Sequence, residues 1–154
     1  MIVQGWGRFP KFQGKTATIV DAASLRRQLN GPGRIAKGLG RSYGDSAAGN
    51  NLTLGMTHLN RFVAFDEATG QLVAEAGVSL QEIIDVFLPR GWFPKVVPGT
   101  KFVTLGGMIA ANIHGKNHHH SMSFGACVDW IDVMAPDGTV QRCSHDEHNQ
   151  LFRY

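Results

Sequence analysis

Residues 103–119 run VTLGGMIAANIHGKNHH and hold the chain's densest set of groups able to meet a ligand. Thr104, Leu105, Gly106 and Gly107 precede small and apolar residues. That is the pattern of a helix whose first turn lets a ligand reach the backbone N–H groups. The stretch closes on His114, Gly115, Lys116 and Asn117, where hydrogen-bonding groups flank a glycine, and this end reads as a pocket wall. Upstream, Gly38, Leu39, Gly40, Arg41, Ser42, Tyr43, Gly44 and Asp45 form a second glycine-rich loop with one fixed positive charge. Two such loops in one small domain point to a long, phosphate-containing cofactor.

Spacing excludes the commonest nucleotide motifs. A Rossmann turn requires G-x-G-x-x-G passing from a strand directly into a helix. Here the glycines read G-x-G-x-x-x-G, and residues 45–51 are rich in turn formers. No G-x-x-x-x-G-K-[ST] occurs at either loop. What remains is a concavity of consecutive backbone N–H groups that holds phosphate, assisted by Arg41 and the Ser42 hydroxyl.

The elements that must position these loops alternate as α+β. Asp21 caps a helix over 22–29 with Gly31 as its stop, and 34–37 reads as a strand feeding the first loop. Residues 52–56 and 62–66 read as strands, and a turn at 67–70 leads into 71–76 as a hairpin. Ser79 caps a helix whose apolar Leu80, Ile83, Ile84, Phe87 and Leu88 recur at helical spacing, with Pro89 and Gly91 ending it. Residues 128–134 and 139–143 flank the turn at 136–138, and 146–154 can begin a further helix.

Composition bounds the function. At 154 residues and 43% hydrophobic content, one domain with a core burying ~70% of its unfolded surface is expected. Two cysteines make no disulfide framework, residues 1–10 lack the apolar run of a signal peptide, and the cytoplasm is the default location. No stretch approaches the ~20 apolar residues of a bilayer span. A net charge of +3 with scattered basic residues lacks the footprint of a nucleic-acid binder. His118, His119 and His120 lie adjacent, so their side chains diverge in extended backbone, and no acidic or cysteine partner falls at ligand spacing. No metal site is expected.

Four segments carry a resemblance: GLGRSYGD at 38–45, PGT at 98–100, VTLGG at 103–107 and IHGKNHH at 113–119 followed by SFG at 123–125. Together they resemble the PCMH-type FAD-binding domain of vanillyl-alcohol-oxidase-type flavoproteins. The similarity is greatest to a bacterial branch that oxidises a lipid-linked ribose.

The resemblance implies an α+β fold, with residues 1–154 as an FAD-binding domain, C-terminally incomplete, from a two-domain flavoprotein whose substrate domain is absent. It implies that residues 38–45 wrap the pyrophosphate. Gly99, Thr104, Leu105, Gly106 and Gly107 would line the flavin and its phosphates, and Ala111, Asn112, Ile113 and His114 would run beside the isoalloxazine. His114 and Lys116 would face the substrate. Many sugar and alditol oxidases in the family attach flavin through a histidine immediately before the serine of the first loop; Arg41 stands there, so noncovalent FAD is implied. Ala111 stands where mycobacterial members are expected to carry cysteine, and alanine keeps the position small.

The implied reaction is hydride transfer from a carbinol carbon of a sugar or polyol to the flavin. The substrate class is a small-molecule or lipid-linked sugar, foremost a lipid-linked pentose of the kind that precedes cell-wall arabinan, which is compatible with peripheral membrane contact. An alditol or aldonolactone oxidase using oxygen is the alternative within the enzyme class, and a flavin-binding module without catalysis lies outside it. No catalytic base is assigned. Each site residue also has an ordinary reading: Arg41 as a surface charge, His114 as a structural histidine, Lys116 as an exposed lysine, Asp45 as a turn cap, Tyr43 as a packing residue.

Overall fold

A computed structural model describes residues 1–116 and 123–152. The expectations placed on Asn117, His118, His119 and His120 lie outside the described residues. Near the start, β1 (Ile2–Gln4) pairs antiparallel with β2 (Lys11–Gln13). The three strands β3 (Lys15–Thr18), β4 (Arg34–Lys37) and β5 (Leu52–Gly55) then form a parallel sheet in the order β3-β5-β4. Two antiparallel hairpins follow: β6 (Phe62–Asp66) with β7 (Gln71–Ala74), and β8 (Trp130–Met134) with β9 (Val140–Ser144). Among the described residues the α-helices are α1 (Ala22–Gln28), α2 (Leu80–Phe87), α3 (Leu105–Ala110) and α4 (Asn149–Phe152).

Parallel neighbours cannot be joined by a tight turn, so each junction in the sheet needs a crossover. Between β3 and β4 that crossover is α1. The Asp21 carboxylate accepts from the Ser24 N–H at 2.6 Å while Ser24 Oγ accepts from the Asp21 N–H at 3.0 Å, closing the first turn. Between β4 and β5 the crossover is the first glycine loop itself, whose ends are set by the register Lys37↔Gly55 and Arg34↔Leu52.

Three apolar clusters hold these layers. Ile19, Leu54 and Leu59 pack with Leu25 of α1 and with Leu29, which caps its C-terminus. Val78, Ile83 and Phe87 pack with Phe65, Leu72 and Trp92, fastening α2 to the first hairpin. Leu80, Val96, Met108 and Phe124 gather Leu105, Ile109 and Ile113 around them, so α2 and α3 share one core. Ser79 and Glu82 form a reciprocal cap at the start of α2, with N–H to side-chain distances of 2.7 and 3.1 Å.

The expected α1, β4, β6 and α2 fall where the sequence placed them. The strand expected from residue 128 begins at Trp130, because Phe124–Cys127 winds as a short 3₁₀ turn. Of the helix expected over 146–154, residues 146–148 are bends and the helix begins at Asn149 as α4. Strands β1, β2 and β3 were not anticipated.

Candidate cofactor site

The first glycine loop leaves β4 at the carboxyl end of the parallel sheet, the side on which open α/β sheets take ligands. Gly40 and Gly44 have φ of +68° and +62°, a left-handed backbone that favours glycine over residues with a Cβ. Gly38 is required for a different reason. A Cβ built there would overlap the side chain of Thr104. Thr104 is 4% exposed and caps α3, its Oγ1 accepting from the Gly107 N–H at 3.3 Å. The two motifs that the sequence singled out therefore meet at Gly38 and Thr104.

The start of α3 differs from its sequence reading. The Leu105 N–H donates to the Val78 carbonyl at 2.7 Å, and the Gly106 N–H donates to the Ala76 carbonyl at 2.8 Å. With Gly107 bonded to Thr104, the first three helical N–H groups are engaged inside the protein. A Cβ on Gly106 would lie 2.9 Å from Ala76 Cβ, so this glycine permits close packing against the segment leading into α2. An antiparallel bridge between Ser79 and Thr104 ties the caps of α2 and α3 together. Burial raises the Glu82 pKa, but hydrogen bonds from Ser79 outweigh it and hold the carboxyl below the ordinary range.

At the far end of α3, Ala111 is exposed and Asn112 takes φ +40°. The Asn112 Oδ1 accepts from the Gly125 N–H at 2.9 Å, bracing the 3₁₀ turn, and Ile113 packs into the shared core. His114 is exposed and forms an isolated antiparallel bridge with Ser123, and Lys116 is exposed. Six residues of helix separate this end from Thr104 by about 9 Å.

Among the expected site residues, two glycines mark open ground. A Cβ on Gly44 or on Gly99 would meet nothing within 4 Å. Gly99 is exposed and has no left-handed φ, so neither packing nor conformation demands glycine there.

Two residues outside the expected set also reach the first loop. Lys37 Nζ donates to the Gln4 carbonyl at 2.9 Å, and the Lys37 chain runs beside Gly40. The Trp6 N–H donates to the Ser42 carbonyl at 2.8 Å. A signal for Trp6 was present in the sequence, since Gly5 and Gly7 bracket it. Among the described residues no group of three metal-ligating side chains occurs, and no described helix is long and apolar enough to cross a membrane.

A model of the FAD binding domain family matches residues 14–144. Decaprenylphosphoryl-beta-D-ribose oxidase of Mycolicibacterium smegmatis is 41% identical over 146 residues, covering 90% of this chain and 32% of that protein. L-gulonolactone oxidase of Mus musculus is 26% identical over 133 residues, covering 86% and 30%. Among solved structures, a chitooligosaccharide oxidase superposes with a TM-score of 0.80 over 92% of this chain and 32% of its own, at 19% identity, a likeness of fold. The chain spans about a third of the length of the curated relatives it matches. The α+β, PCMH-type fold that the motifs implied is the fold these comparisons support.

Proposed function

Since this chain belongs to the FAD binding domain family, we propose that it holds FAD noncovalently as the flavin-binding part of an oxidoreductase acting on a hydroxyl of a sugar or polyol. A lipid-linked pentose is the foremost substrate class. The 41% identity to a protein named for oxidising decaprenylphosphoryl ribose supports that choice. The observation that carries the cofactor reading is the meeting of Gly38 with the Thr104 cap, beside glycines whose missing side chains leave open surface.

In this reading residues 38–45 hold the pyrophosphate through backbone N–H groups and the Arg41 guanidinium. Gly99 lets the ring approach, and Ala111 through His114 run beside it, with His114 and Lys116 toward the substrate. Leu105 and Gly106 act by placing α3, because their N–H groups are engaged within the protein. When bound, FAD supplies a hydride acceptor. The residues of this chain bind and orient it, and the substrate-binding groups come largely from a further domain, which makes residues 1–154 one part of a longer enzyme. A lactone-oxidising activity is the second reading, favoured by the match to L-gulonolactone oxidase.

The test is a flavin titration. A charge-assisted hydrogen bond contributes about 1.5–3 kcal/mol, so Arg41→Ala is expected to weaken FAD binding by about 10- to 100-fold. Unchanged affinity would return Arg41 to the role of a surface charge. Acid denaturation is expected to release all yellow colour from the polypeptide; colour that stays with the chain contradicts noncovalent binding.

A further inference from the structure

The turn between β1 and β2 lies against the first glycine loop at several independent points. Gly5 is buried, and a Cβ there would stand 2.7 Å from both the Ser42 and the Gly44 carbonyl oxygens. Trp6 donates its backbone N–H to Ser42, and Gly7 faces the Tyr43 ring, 3.2 Å from where a Cβ would be. The Arg8 N–H donates to the Gly5 carbonyl at 3.1 Å, closing the turn with φ of +58° at Arg8. The backbone carrying Trp6 is thus fixed relative to residues 42–44.

On that fixed backbone the Trp6 indole faces the Arg41 guanidinium, with Cζ 4.5 Å from the ring centroid. This is within the range of a cation–π contact, and tryptophan is the strongest aromatic partner for one. Arg41 Nη1 also donates to the Leu39 carbonyl at 2.5 Å. One face of the guanidinium and one of its five N–H groups are taken in this way. Trp6 as a residue remains 53% exposed, more than core packing would leave.

We infer that Trp6 is a positioning residue for the phosphate-binding loop: its indole holds the Arg41 guanidinium in the orientation in which the remaining N–H groups meet the cofactor's pyrophosphate. The inference rests on the FAD reading above. It adds to that reading a residue acting from outside both glycine motifs, through an arginine whose long chain otherwise samples many rotamers. Pre-orienting the guanidinium removes part of the ordering cost of binding.

The experiment is a double-mutant cycle read by FAD titration, using Trp6→Leu and Trp6→Phe, each with Arg41 present and with Arg41→Ala. With Arg41 present, Trp6→Leu is expected to weaken FAD binding about two- to fivefold. Trp6→Phe is expected to recover part of the loss. In the Arg41→Ala background the three residues at position 6 are expected to bind FAD alike. Equal affinity with Arg41 present overturns the inference, and so does an undiminished loss in the Arg41→Ala background, which would mark Trp6 as generally structural. Should Trp6→Leu fail to fold, the parent and Trp6→Phe compared in both backgrounds give the same decision. If Arg41→Ala weakens FAD binding and position 6 has no effect, this inference alone fails. If Arg41→Ala has no effect, or the parent protein binds no FAD, the reading beneath it fails as well.

Discussion

Gly99, proposed to admit the flavin, is the position at which that role can be told apart from one in the fold. Its Cβ position is open to 4 Å, its backbone avoids the left-handed region, and it is exposed. A substitution there is therefore expected to change stability by no more than about 0.5 kcal/mol. Replacing it with valine places a branched side chain on the surface assigned to the flavin. Forcing such a group against a bound molecule costs about 1–3 kcal/mol by analogy with overpacking, or about 5- to 150-fold in Kd. The assay pairs urea unfolding of Gly99→Val with an FAD titration, and Gly106→Val serves as the contrast. Gly106 packs 2.9 Å from Ala76 by its built Cβ, so its variant is expected to lose stability. Normal FAD affinity in a stably folded Gly99→Val would refute the assignment of this surface to the flavin.

Three other outcomes are expected. Gly38→Ala drives a methyl into the buried Thr104 side chain and is expected to cost about 1–3 kcal/mol in denaturant unfolding; no loss would mean that the two motifs do not abut. Thr53 is 2% exposed in the central strand β5 with its hydroxyl unpartnered, so Thr53→Val is expected to be neutral or to stabilise by up to about 1 kcal/mol, and a loss above that range would reveal a hidden partner. Hydrogen bonds from Arg61 hold the Glu75 carboxyl below its ordinary range, and those from Arg142 do the same for Asp132. Depressed folded values add stability above the unfolded pKa that is lost as the pH falls through the folded one. Thermal midpoints are accordingly expected to hold from pH 7 to about 5 and to fall below about pH 4, so a midpoint unchanged at pH 3 would refute these pairings.

Local signals were legible in the sequence wherever a single residue both starts and explains an element. Asp21 and Ser79 announced their helices because a capping oxygen acts within three residues of itself. The strand at Arg34–Lys37 was legible because a glycine loop follows it directly. Strand β3, with the sequence KTAT, carries no apolar alternation, and its place comes from pairing with β5 more than thirty residues away. The order of the site along the chain was legible, but the use of its N–H groups was not. Glycine at 106 suits a ligand's approach and a neighbouring chain's approach equally, and only the position of Ala76 decides between them. Trp6 escaped notice because its partners sit thirty-five or more residues downstream.

The first glycine loop is also the larger part of residues 38–51, the link between β4 and β5, strands that lie side by side in the same sheet. Because the strands are parallel, the link's two ends lie at opposite ends of the ladder, one following Lys37 beside Gly55 and the other preceding Leu52 beside Arg34, and the ladder fixes the distance between them. The converse holds too. A molecule that grips the loop resists separation of β4 from β5, so its binding free energy enters the sheet's own opening equilibrium. A ligand at a hundred times its Kd raises that opening cost by about 2.7 kcal/mol. Amide protons of Arg34–Lys37 and Leu52–Gly55 would then report occupancy of a site to which they do not belong, exchanging slowly in the loaded protein and quickly in the empty one. In a cell, the same linkage would make a cofactor-free chain a better target for proteases than a loaded one.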